Sequence, residues 1–137
     1  MSTRISVDDA LNFILRKLKT EGPAKFDRDG FDFWVSDYTT KYLEEVLGVR
    51  PRPPIEDQRT YDASPPFFDA AWELSRRGVL RPSVRHSFMQ WAARYSTGGG
   101  YTLTEIGAEW LADLGDAPLS VRGDWGPFAA SGKTGAA

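Results

Sequence analysis

The sequence predicts a mainly α domain of the α+β type carrying one β-hairpin. Three observations predict it. An apolar stripe at helical spacing opens the chain, three later segments are bounded by helix start and stop residues, and two short β-prone runs flank a polar-aromatic loop whose tip is Gly98-Gly99-Gly100. The chain has 137 residues, a length that suits one domain plus a tail, and it can bury roughly 65–70% of its unfolded surface without a disulfide or metal to staple it. Its 41% hydrophobic and 13% aromatic content is that of a folded chain, not a disordered one.

Val7, Ala10, Leu11, Ile14, Leu15 and Leu18 fall at i, i+3, i+4, i+7, i+8 and i+11, one face of a helix. Ser6 caps it, Asp9 completes a short capping box, and Gly22-Pro23 ends it. Residues 24–35 alternate polar and apolar and read as a short strand or an ordered loop. Ser36 caps a second helix with Tyr38, Tyr42, Leu43, Val46 and Leu47 inward and Gly48 as its stop. Residues 49–63 hold three prolines and little periodicity, so they read as an extended connector. Ser64-Pro65 starts a third helix, to about Arg77, which buries Phe67, Phe68, Ala71 and Leu74 before Gly78. Residues 79–88 and 101–103 read as antiparallel partners, with Pro82 confining the first to an edge; a helical turn over 88–95 inside the loop is the alternative. Thr102 and Glu105 have capping-box spacing at the head of a fourth helix, with Ile106, Trp110, Leu111 and Leu114 inward and Gly115 ending it. From 116 the chain is rich in Gly, Ala, Pro and Ser. The expected division is therefore a domain over 1–115 and a tail over 116–137, in which Val121, Trp125 and Phe128 are able to dock.

The order helix, helix, helix, strand, loop, strand, helix resembles a winged helix-turn-helix domain. So do the words Leu74-Ser75-Arg76-Arg77-Gly78-Val79-Leu80 and Tyr101-Thr102-Leu103-Thr104-Glu105-Ile106-Gly107. They are similar to the end of the recognition helix and the close of the wing in MarR- and PadR-like regulators. The likeness is detailed over 65–114 and rests on helix order alone over 7–48. It implies a winged-helix fold, DNA as partner, and a role as a transcriptional regulator or accessory DNA-binding subunit. It also implies a homodimer paired through the helices flanking the motif, here the first helix and the one holding Trp110. Two departures matter. The connector at 49–63 is longer than the tight turn of an ordinary helix-turn-helix, and the third helix opens Pro-Pro-Phe-Phe-Asp, which turns the expectation away from direct base reading.

Charge locates the expected contact. The chain is slightly acidic, with 17 Lys+Arg against 19 Asp+Glu, yet residues 74–104 contain no acid at all. That 31-residue stretch holds Arg76, Arg77, Arg81, Arg85 and Arg94 with His86, where acids average about one residue in seven along the chain. Arg76 and Arg77 are expected at the end of the recognition helix, and Arg81, Arg85 and Arg94 on the wing. Three to five neutralised phosphates predict a salt slope of roughly −3 to −4.5 on duplex DNA. Phe88, Trp91 and Tyr95 in the same loop suit stacking on bases, contact with a partner, or packing on their own core. The competing reading is a winged-helix adaptor that docks protein, favoured by the overall acidity, Pro51-Arg52-Pro53-Pro54 and the apolar start of the third helix.

Other chemistries fit poorly. Without cysteine there is no disulfide, thiolate nucleophile or thiolate metal site, and one histidine cannot build a multi-His cage. Gly126 to Thr134 has five residues between its glycines where a phosphate-binding loop has four, and three residues after it where a helix is needed. A calcium loop around Asp27-Arg28-Asp29-Gly30 would put Lys25 first and Ser36 twelfth, where acids are required. Asp8-Asp9, Glu44-Glu45 and Glu56-Asp57 are adjacent pairs and diverge on a helix. No enzyme activity, metal or cofactor is expected. No apolar run approaches ~18 residues, so a cytoplasmic protein without membrane contact is expected.

Overall fold

The computed structural model describes residues 4–21, 33–49, 58–82 and 100–130. Helix α1 spans Val7–Glu21, strand β1 Phe33–Trp34, α2 Val35–Glu45, α3 Gln58–Ala63, α4 Pro65–Arg76, β2 Leu80–Pro82, β3 Gly100–Leu103 and α5 Glu105–Ala112. The fold is mainly helical with a small antiparallel sheet in the order β1-β3-β2. Leu80 pairs with Leu103 and Pro82 with Tyr101 across β2 and β3, while Phe33 pairs with Tyr101 across β1 and β3. Pro82 lies on an edge strand, where its missing N–H costs no ladder bond.

The stripe of α1 is the centre of the core. Ala10, Leu11, Ile14, Leu15 and Leu18 are all buried, and α1 packs against α4 and α5. Its N-terminus is the expected capping box: the Asp9 amide donates to Ser6 Oγ at 3.0 Å, and the Ser6 amide to Asp9 Oδ2 at 3.5 Å. Phe13 is buried as well, meeting Tyr42 edge-on at 5.1 Å and Phe67 at 6.5 Å.

Several expectations are corrected. Helix α2 starts at Val35, so Ser36 is helical rather than its cap. Within 49–63, residues 58–63 form helix α3 instead of extended chain; the buried Thr60 hydroxyl meets Thr40 Oγ1 at 3.3 Å and so ties α3 to α2. Val46, Phe68 and Ile106, expected inside, are exposed. The fourth predicted helix is capped by Thr104, because Thr102 lies within β3 opposite Arg81.

Two helix ends meet through the Leu-Thr-x-x-Gly word. Helix α4 stops in a Schellman arrangement: Gly78 has φ +88°, its amide donates to Ser75 O at 3.1 Å, and the Val79 amide donates to Leu74 O at 2.9 Å. Thr104 Oγ1 accepts from the Gly107 amide at 2.8 Å and donates to Gly78 O at 2.5 Å, while the Thr104 amide donates to Val79 O at 2.9 Å. One side chain thus caps α5 and fastens it to the end of α4. Thr104→Ala is expected to cost about 1–2 kcal/mol, and Thr104→Ser to recover most of it, in thermal denaturation.

Residues 116–130 are not a tail. Asn12 exchanges hydrogen bonds of 2.8 Å with the amide and carbonyl of Leu119, and Asp8 Oδ1 accepts from the Val121 amide at 2.8 Å. Trp125 is 3% exposed and stacks on Trp110 with ring centroids 5.6 Å apart. Composition suggested a loose end, but Leu119, Val121 and Trp125 give the segment enough apolar surface to dock, and the domain extends past 115. Trp110 and the apolar stripe of α1 are thus both buried within one chain.

Candidate nucleic-acid interface

The five candidate arginines separate into distinct situations. Arg76 closes α4 and its side chain is 54% exposed. Its Nε and Nη2 donate to the two Glu73 carboxylate oxygens at 3.2 and 2.8 Å, which leaves Nη1 facing outward. Arg81 sits exposed on β2 between buried Leu80 and exposed Pro82, and its Nη1 donates to Pro82 O at 3.4 Å. Arg85 and Arg94 lie outside the described residues, as do His86, Phe88, Trp91 and Tyr95.

Arg77 is corrected from a phosphate contact to an internal strut, because its guanidinium is already filled. Its side chain is 11% exposed. Nη1 donates to Gly123 O at 2.8 Å and Trp125 O at 3.0 Å, Nη2 to Val121 O at 2.8 Å, and Nε to Glu73 Oε1 at 3.0 Å. The same plane lies 3.9 Å from the Trp125 ring centroid. Glu73 receives both arginines. The hydrogen bond from Arg76, with that of Arg77, holds its carboxyl below the ordinary range despite the partial burial that pushes it up.

The strut also brings forward a residue that charge counting along the sequence missed. Arg122 is exposed and lines, with Arg76, Arg77, Trp125 and Phe128, an open cleft of about 360 Å³ at the end of α4. In sequence it is one basic residue outside the acid-free tract. Asp124 lines the same cleft and Glu73 pairs with two of its arginines, so its charge is mixed.

Helix α4 itself does not present a cationic face. Pro65, Phe68, Asp69, Trp72 and Arg76 are its exposed positions, and Tyr61 and Asp62 of α3 are exposed just before it. Trp72 is 64% exposed and Tyr61 57%. Exposed aromatic rings beside the Asp69 carboxylate suit apolar docking better than a phosphate backbone.

A wider groove of about 860 Å³ runs over Ile5, Val7, Leu43 and Leu47, with Arg4, Arg59, Asp62 and Asp69 at its rim. Among the described residues no group of three or more His, Cys, Asp or Glu could hold a metal ion, and no helix is long and apolar enough to cross a membrane. No family model, curated protein or solved structure matches this chain.

Proposed function

We propose that the chain is a winged-helix nucleic-acid-binding protein, a transcriptional regulator or accessory DNA-binding subunit, that grips the sugar–phosphate backbone with its wing rather than reading bases with α4. The order of helix α4, antiparallel strands β2 and β3, and helix α5 supports the winged-helix reading, with β1 and α3 as short additions to the expected plan. One observation carries the binding reading: the acid-free tract 74–104 includes the paired strands β2 and β3 and the whole connection between them, and Arg81 stands exposed on β2. Arg81, Arg85 and Arg94 are the phosphate contacts in this reading, with Arg76 at their margin.

The test is fluorescence anisotropy of a labelled random duplex at two salt concentrations. With three to four arginines engaged, the log–log salt slope is expected near −3, a loss of about 60-fold between 50 and 200 mM salt. Arg81→Ala is expected to reduce the slope by about 1 and to weaken binding equally across sequences. An absence of binding at low salt, or affinity indifferent to salt, overturns the proposal. The exposed aromatic face of α4 favours a second reading, a protein-docking module. That reading expects weak salt dependence and heavy losses from changes at Trp72 and Phe68.

A further inference from the structure

We infer that α4 is the surface through which two copies of this chain pair, antiparallel about a two-fold axis near Trp72. The inference does not rest on the nucleic-acid reading. It starts from an aromatic face: Phe68 is 38% exposed, Trp72 64% and Tyr61 57%, all on the outer side of α3 and α4. Backbone angles at Ser64, between the two helices, are helical (φ −71°, ψ −33°), so the outer side runs on from Tyr61 toward Arg76. With 150–250 Å² per aromatic side chain, these three rings leave on the order of 300 Å² of apolar surface in water.

The charges beside the rings choose the occupant. Asp69 and Arg76 are seven residues apart, two helical turns, and Trp72 lies between them on the same face. Two copies of α4 crossing antiparallel at Trp72 set Asp69 of each against Arg76 of the other and bring the two indoles together at the axis. That layout is self-complementary, as an isologous contact requires. Parallel pairing would set like against like. Asp69 has no ion pair among the described residues, and Arg76 Nη1 is open beyond its pair with Glu73. Asp62 and Asp69 make the face a poor one for phosphate. Its small area makes the pairing a weak and transient one.

Sedimentation equilibrium on the full chain, from about 1 to 200 µM, tests this, with circular dichroism confirming that each variant folds. Wild type is expected to move from monomer to dimer across that range. Trp72→Ala, Asp69→Arg and Arg76→Asp are each expected to raise the Kd about tenfold or more. Mixing Asp69→Arg with Arg76→Asp is expected to restore pairing, because in the mixed dimer every charge again meets its opposite. A wild type that stays monomeric throughout overturns the inference. So do charge variants that dimerise as wild type, or a mixture that pairs no better than either variant alone; the first of these points to a different protein as the occupant of the face. Duplex binding is measured separately, so loss of dimerisation and loss of nucleic-acid binding are distinguished.

Discussion

Gly107→Ala is expected to destabilise the domain by about 3 kcal/mol or more. A Cβ at Gly107 would sit 2.2 Å from Val79 O and 2.8 Å from both Val79 C and Thr104 Oγ1. None of these can retreat cheaply. Val79 O accepts the Thr104 amide, and Thr104 Oγ1 is bonded at once to the Gly107 amide and to Gly78 O. Relief would require the start of α5 to move away from the Gly78-Val79 turn that closes α4. Urea denaturation reads the loss as a fall in midpoint at constant slope. Gly115→Ala is the control: its added methyl meets nothing within 4 Å, and its effect should stay within about 0.5 kcal/mol.

Arg77→Ala is the second large effect, at about 3 kcal/mol. Its removal strips donors from three backbone carbonyls, those of Val121, Gly123 and Trp125, and takes the cation off the Trp125 ring. Arg77→Lys should recover little, since an ammonium cannot span three carbonyls in one plane. The accompanying readout is limited proteolysis after Arg122, slow in wild type and fast in the variant. In duplex binding the variant should leave the salt slope unchanged, which separates a strut from a phosphate contact. The strut also carries a pH dependence. The folded Glu73 carboxyl titrates below its unfolded value of about 4.3, so its contribution is complete above that pH and disappears as pH falls through the lower folded value.

What the sequence made legible was whatever local pattern determines. The stripe of α1, its Ser6 and Asp9 box, the Gly78 stop and the Leu-Thr-x-x-Gly word all act over a few residues, and all are present in the structure. Helix α3 was hidden because six residues give no periodicity, and what holds it is tertiary, Thr60 against Thr40 across a gap of twenty residues. The docked segment was hidden because its glycines and prolines outweigh its three apolar anchors in any composition count. Charge sign along the sequence marks the acid-free tract but does not determine where a guanidinium points. Arg76 and Arg77 are neighbours in sequence, yet one faces water and the other is clasped by residues 44–48 positions later.

The bonds joining Asp8 and Asn12 to Val121 and Leu119 span 107–113 positions and impose an order of events on folding. As the chain is made, α1 emerges before α5, and the partners for its outward polar groups follow more than a hundred residues later. Until they leave the ribosome, Trp110 lacks its stacking partner and a large indole surface stays wet. Closure therefore waits for synthesis to pass residue 125, and contacts of such long sequence separation slow folding. A stalled or truncated chain would hold an open intermediate with α1 in place and α5 unsealed, the form in which this protein is most exposed to proteases and to its own kind.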